Sequence, residues 1–105
     1  MAWKLVDRNG EKSPVLETRQ TYTFGRGLDV DVRLPLSDDY PTDETLCISR
    51  HHGALHVGDN NCAVEDKKSR NGTFVNREPI TEKTPVKEGD EITFGPYQTE
   101  LVKID

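Results

Sequence analysis

The sequence predicts an all-β fold, a sandwich or barrel of short strands, and three observations carry that prediction. Apolar residues fall in short runs bounded by Gly, Pro, Asn and Asp, with a turn roughly every 8–12 residues. Some of these runs, such as Val30-Asp31-Val32-Arg33-Leu34, alternate apolar and polar with period two. No window long enough for a stable helix shows an apolar face, because Gly or Pro interrupts nearly every candidate.

In chain order, Trp3-Lys4-Leu5-Val6 reads as a first strand ended by the turn Asp7-Arg8-Asn9-Gly10. Pro14-Val15-Leu16 is a weak second strand. Thr21-Tyr22-Thr23-Phe24 is β-branched and aromatic and runs into Gly25. Val30 to Leu34 follows as a half-buried strand. A long polar loop, Pro35 to Thr45, carries Asp38, Asp39, Asp43 and Glu44. Ala54 to Val57 and Cys62 to Asp66 form a hairpin around Gly58-Asp59-Asn60-Asn61. Thr73-Phe74-Val75, Pro79-Ile80, Glu91 to Phe94 and Thr99 to Ile104 complete the set, separated by turns at Asn76, Glu88-Gly89-Asp90 and Gly95-Pro96. With 105 residues and strand-like sequence near both ends, residues 1–105 are expected to form one domain.

The formal net charge is −5. A general nucleic-acid or anionic-membrane binder needs a basic surface, so neither is expected, and an anion site here has to be local. No secretory segment and no long apolar run is visible in the sequence. Cys47 and Cys62 form no C-x-x-C pair and are expected to be reduced thiols.

Three loop-like stretches combine Arg with Ser, Asn or Gly: Phe24-Gly25-Arg26-Gly27, Cys47-Ile48-Ser49-Arg50-His51-His52-Gly53 and Ser69-Arg70-Asn71-Gly72-Thr73. They offer guanidinium, hydroxyl and amide donors, the groups that grip a phosphate dianion. In order and spacing, Gly25-Arg26, Ser49-Arg50-His51-His52, Asn71-Gly72-Thr73 and Gly89-Asp90-Glu91-Ile92 resemble the motifs of the forkhead-associated (FHA) domain family, over residues 24–95. The resemblance implies an FHA-type β-sandwich of about eleven strands in two sheets with binding loops at one end. It also implies a non-catalytic module, without a cofactor, that recognises a phosphothreonine-containing protein or peptide.

Carried over residue by residue, the resemblance makes Arg26, Ser49 and Arg50 phosphate donors. It has Arg70 lining the phosphothreonine pocket and Asn71 bonding the peptide backbone. Arg suits the task because its planar fork meets two phosphate oxygens and stays charged. Gly25, His52, Gly72, Thr73 and Asn76 become structural supports of the loops, with His52 bracing the second loop from inside. His51 has no role in the family and is expected to be exposed.

Competing readings of the same residues are weaker. Ser49 with His52 invites a hydrolase, with Asp66 as the carboxylate, yet no G-x-S-x-G elbow is present. His51, His52 and His56 with the two cysteines fit no structural zinc spacing. Asn71-Gly72-Thr73 also spells a glycosylation sequon. A phosphate-independent scaffold or dimerisation domain using a sheet face is the alternative function.

Two finer expectations concern specificity and lineage. Cys47 cannot select aspartate as a basic residue there would, and the acidic stretch 38–44 suggests a preference for basic peptides. The runs Met1-Ala2-Trp3-Lys4-Leu5, Ile48-Ser49-Arg50, Gly72 to Asn76 and Ile92 to Gly95 resemble a nibrin-like member of the family. That resemblance implies a nuclear role and partners with acidic residues beside the phosphothreonine, which conflicts with the reading of the 38–44 stretch; DNA-damage or cell-cycle signalling is expected, in the nucleus, with the cytoplasm as the alternative.

Overall fold

β1 (Ala2–Asp7) and β11 (Tyr97–Ile104) frame the first sheet, paired antiparallel along the whole of β1 from Ala2↔Ile104 to Asp7↔Thr99. Alternate residues of β1, Trp3, Leu5 and Asp7, turn inward, as the period of two requires. The computed structural model describes residues 2–104. The other strands are β2 (Leu16–Glu17), β3 (Gln20–Gly25), β4 (Val32–Arg33), β5 (Gly53–Val57), β6 (Cys62–Asp66), β7 (Thr73–Val75), β8 (Glu78–Pro79), β9 (Thr84–Val86) and β10 (Glu91–Phe94). One helical turn, α1 (Thr42–Thr45), lies between β4 and β5.

The strands form a sandwich of a six-stranded sheet, β2-β1-β11-β10-β7-β8, and a five-stranded sheet, β4-β3-β5-β6-β9. The first contributes Trp3, Leu5, Ile92, Phe94, Tyr97 and Leu101 to the core. The second contributes Phe24, Leu55, Val57, Cys62, Val64 and Val86. Phe24 and Phe94 stack at 5.5 Å with ring planes 19° apart, joining the two sheets near the end where the three candidate loops emerge. No helix among the described residues is long and apolar enough to cross a membrane. Cys62 is buried, Cys47 is exposed, and both are free.

The expected elements recur with some ends shifted, Pro79-Ile80 lying at Glu78–Pro79 and the last strand starting at Tyr97 rather than Thr99, and three differences have local causes. The alternating run Val30 to Leu34 pairs only at Val32 and Arg33, parallel to β3. Upstream, the Asp31 carboxylate accepts the Thr23 N–H at 2.9 Å, so a side chain occupies the place of a ladder bond. β9 was not expected, because Pro85 sits at its centre. It is an edge strand bonded only to β6, where a missing N–H is tolerated. α1 is a single turn, too short to leave a helical period in the sequence. The second strand covers Leu16–Glu17 rather than Pro14–Leu16.

The acidic segment after β4 is not a free loop. Tyr40 is buried and meets Tyr97 edge-on, with centroids 4.9 Å apart at 85°. The Tyr97 hydroxyl donates to the buried Asp7 carboxylate at 2.7 Å and accepts the Leu36 N–H at 2.9 Å. Asp7 also takes the N–H groups of Asn9 and Glu11, both at 2.9 Å. Burial, reinforced by the bond to Asp7, pushes the Tyr97 phenol far above its usual range, so it stays a donor.

Tyr97→Phe removes one hydroxyl and leaves the Leu36 N–H without its acceptor and one oxygen of Asp7, Oδ2, without its donor. The expected loss is about 1–3 kcal/mol of unfolding free energy, measured by urea denaturation followed through Trp3 fluorescence. An unchanged midpoint would show that this network does not anchor the segment.

Candidate phosphate-binding site

Strand register explains why three distant stretches meet. In the second sheet Phe24 of β3 lies opposite Gly53 of β5, and Gly53 lies opposite Asp66 of β6. That row is where β3 ends, β5 begins and β6 ends. The first loop therefore leaves, the second arrives and the third leaves at one end of the sandwich. Within the six-stranded sheet, Thr73 of β7 opposes Phe94 of β10, whose ring stacks on Phe24, and this returns the third loop beside the same end.

The first and second loops are laced by backbone bonds, Arg26 N–H to Ser49 O at 3.0 Å and Gly27 N–H to Arg50 O at 3.1 Å. Gly25 makes this approach possible. A Cβ on it would sit 2.0 Å from the Arg50 carbonyl oxygen and 2.9 Å from that of Ser49, with only backbone to yield.

His52 ties the second loop to the third. It is fully buried, edge-on to Phe94 at 5.6 Å. Its Nδ1 accepts the Ser49 N–H at 3.0 Å, so Nε2 carries the ring proton and donates to the Gly72 carbonyl at 2.7 Å. Its own backbone N–H bonds Phe24 O and its carbonyl takes the Lys67 N–H. Burial pushes the imidazole pKa below its ordinary 6.5, against the opposing pull of Gly72 and Asp66.

The third loop is shaped by Asp66. Its carboxylate accepts the Ser69 hydroxyl, the Ser69 N–H at 3.1 Å and the buried Thr73 hydroxyl at 2.8 Å. Burial pushes the Asp66 carboxyl up, but the bonds from Ser69 and Thr73 outweigh it and hold the group below its usual value. Ser69 Oγ in turn accepts the Gly72 N–H at 2.9 Å, and Gly72 has φ +87°, a conformation that favours glycine. Asn76 lies farther along, its amide bonding Asp90 and the Glu91 N–H, so it holds the turn after β7 to β10.

The five residues expected to meet ligand sit on this frame. Arg26 Nε donates to Ile48 O at 2.9 Å, which fixes the guanidinium beside the second loop. Ser49 Oγ accepts the Arg70 N–H at 2.9 Å, leaving its own O–H proton to donate. Arg50 and Arg70 are exposed. Asn71 Nδ2 donates to Cys47 O at 2.8 Å, linking third and second loops and leaving its carbonyl oxygen and second N–H for a ligand.

The charges are arranged unevenly. Of the seven arginines, Arg8, Arg19 and Arg77 have a carboxylate within 4.0 Å. Arg26, Arg33, Arg50 and Arg70 have none among the described residues, and all four lie at the loop end. A chain of net charge −5 thus leaves its unpaired guanidinium groups together.

Ser49 and His52 do not form a nucleophile–base pair. The imidazole takes the Ser49 backbone N–H, not its hydroxyl, and its other nitrogen is committed to Gly72. The other histidines are engaged elsewhere, exposed His51 with Asp29 at 2.8 Å and His56 with Thr21 and Glu65. Among the described residues no group of three His, Cys, Asp or Glu is placed to hold a metal. Asp66 and Ser69 are the supports that sequence reasoning missed. Their signal was a carboxylate three residues before a Ser in a turn, which predicts a side-chain-to-backbone bond.

A family profile described as the FHA domain matches residues 22–95. The glycogen accumulation regulator GarA of Mycobacterium tuberculosis is 38% identical over 66 residues, 63% of this chain and 39% of that protein. The oxoglutarate dehydrogenase inhibitor of Corynebacterium diphtheriae is 35% identical over 85 residues, 81% of this chain and 52% of that protein. The match thus spans about half or less of these curated relatives, which are named as a regulator and an inhibitor. The crystal structure of the FHA domain of the CT664 protein from Chlamydia trachomatis superposes with a TM-score of 0.81 at 25% identity, over 100% of both chains. These relatives are bacterial and lend no support to a nibrin-like member, a nuclear location, or DNA-damage or cell-cycle signalling. The profile match and the shared sandwich show that the chain belongs to the FHA domain family, whose members are known as phosphothreonine-binding modules.

Proposed function

We propose that residues 1–105 act as one recognition unit that binds a phosphothreonine-bearing protein through the three-loop end, bringing two proteins together only when the partner is phosphorylated. The observation that carries this reading is that three guanidinium groups without carboxylate partners, Arg26, Arg50 and Arg70, belong to the loops laced to Ser49. Arg26, Ser49 and Arg50 supply donors to phosphate oxygens. Arg70 lines the pocket, and Asn71 offers its carbonyl and remaining N–H to the peptide backbone. An electrostatic site on an acidic protein confines attraction to one place, which suits a module that reads a single phosphate.

The expected affinity is modest. Three or four charge-assisted contacts contribute about 1.5–3 kcal/mol each. They oppose at least ~4 kcal/mol of association cost plus ordering of the peptide. At the strong end of that range the balance reaches about −8 kcal/mol before the peptide is ordered, so an affinity no tighter than about micromolar is expected.

Calorimetry with one peptide in phosphorylated and unphosphorylated forms tests the reading. The phosphorylated form is expected to bind with weakening affinity as salt rises, and Arg26→Ala to lose about 10- to 100-fold. Equal binding of the two forms, or full binding by Arg26→Ala, would favour a scaffold that uses a sheet face.

His52 contributes by holding the loops, and its neutral form is the one that fits. Protonating Nδ1 removes the acceptor of the Ser49 N–H. Because the folded-state pKa lies below the ordinary 6.5, its stabilising contribution is full above that value and is lost as pH falls through the folded-state pKa. Urea midpoints are therefore expected to fall between about pH 7.5 and 5.5 more steeply in the wild type than in His52→Gln. Parallel slopes for the two proteins would remove His52 from this role.

A further inference from the structure

Of the five asparagines in the chain, two precede glycine, Asn9 and Asn71. An exposed Asn-Gly pair is chemically labile, because glycine has no Cβ to keep its backbone nitrogen from closing onto the asparagine side chain. Asn9 and Asn71 are both exposed, but the structure holds them differently. The Gly10 N–H donates to the Asp7 carbonyl at 3.0 Å, while the Asn9 side chain makes no hydrogen bond among the described residues.

Asn71-Gly72 is held from several sides. Asn71 Nδ2 donates to Cys47 O at 2.8 Å. The Gly72 N–H donates to Ser69 Oγ at 2.9 Å, and that hydroxyl is itself tied to Asp66. The Gly72 carbonyl accepts His52 Nε2 at 2.7 Å and the Gly95 N–H at 2.9 Å. Gly95 also lies against Asn71, and a Cβ built on it would sit 3.5 Å from the Asn71 Cβ. Ring closure between Gly72 and Asn71 removes the proton that Ser69 accepts and expels the nitrogen that Cys47 holds. The bonds that shape the third loop therefore oppose it.

We infer that Asn71 is a deamidation site kept closed by the third-loop network, and that its conversion to a carboxylate shuts the phosphopeptide site. The first half concerns the chain alone, and the second rests on the proposed function. In the reaction a base takes the Gly72 amide proton, and the nitrogen attacks the Asn71 side-chain carbonyl carbon. The bond from that carbon to Nδ2 breaks and ammonia leaves. Water then opens the cyclic imide at either carbonyl, giving aspartate, or isoaspartate with the backbone routed through the side chain. One water is consumed, one ammonia is released, and nothing is oxidised or reduced. Either product adds a carboxylate to the loops that carry Arg26, Arg50 and Arg70, where it competes for guanidinium groups and repels an incoming phosphate. It also leaves the Cys47 carbonyl without its donor.

The test ages the full chain in mildly alkaline buffer and follows Asn9 and Asn71 by peptide mass mapping. Fluorescence anisotropy with a phosphothreonine peptide reads binding in the same samples. In the native wild type Asn9 is expected to convert several times faster than Asn71, and in urea the two rates to converge. Ser69→Ala is expected to speed conversion of Asn71 and leave that of Asn9 unchanged. In Asn9→Gln, binding is expected to fall in step with Asn71 conversion, and freshly made Asn71→Asp to bind about tenfold more weakly or worse. Conversion of Asn71 as fast as Asn9 in the native chain, or no acceleration by urea or by Ser69→Ala, overturns the protection. Full binding by Asn71→Asp, or by aged Asn9→Gln whose Asn71 has converted, overturns the shut-off. Failure of the underlying function looks different: fresh protein would then bind the phosphorylated peptide no better than the unphosphorylated one, while mass mapping would still report the protection.

Discussion

The site depends on one buried imidazole. His52 accepts a backbone N–H from the second loop and donates to a backbone carbonyl of the third. Its own backbone bonds to Phe24 and Lys67 secure the end of β3 and the start of the third loop. A neutral histidine suits this place because one ring offers an acceptor and a donor on opposite sides, and both face groups that would otherwise lie unpaired in the interior. Its edge rests on Phe94, which stacks on Phe24, so the clamp is built into the inter-sheet core. Loops that would be mobile alone are thus held in one arrangement before any ligand arrives, which lowers the ordering cost of binding.

On that frame, the proposed selection is by charge. Acidic residues outnumber basic ones by 19 to 14, yet the ion pairs that they form with Arg and Lys go to Arg8, Arg19, Arg77 and Lys67. The guanidinium groups at the loop end keep backbone partners that orient them, Ile48 O for Arg26 and Arg26 O for Arg33. An oriented, unneutralised guanidinium favours an incoming dianion more than one already paired. The packing of Tyr40 and Leu36 about Tyr97 holds the 35–45 segment alongside Arg26, so the fold itself places this segment next to the proposed phosphate donors.

Much of this was legible in the sequence, for a physical reason. Strand period and turn residues report the environment of each short segment, so β1, β5, β6 and β10 were readable from alternation and flanking Gly, Asn and Asp. The residues proposed for the ligand were readable from their chemistry, and the register brings their three loops to one end. What stayed hidden depended on pairing across distance. Pro85 argues locally against β9, and only its edge position permits it. Asp66 and Ser69 read as a strand end and a turn until Thr73 closes the network between them. Tyr97 gave no sign of reaching Asp7 and Leu36, because nothing local to a tyrosine reveals a partner ninety residues away. Arg33 read as the polar position of an alternating strand, and its place between Arg26 and the 35–45 segment depends on where that segment folds back.

The central claim is that ligand enters at the loop end clamped by His52 and that phosphate is what it reads. Backbone amide chemical shifts recorded during titration with a phosphothreonine peptide test this most directly. The account predicts that the largest changes fall on Arg26, Ser49, Arg50, Arg70, Asn71 and Gly72, and that the unphosphorylated peptide produces none of them. Changes concentrated on an outer sheet face, or the same pattern without phosphate, would contradict it.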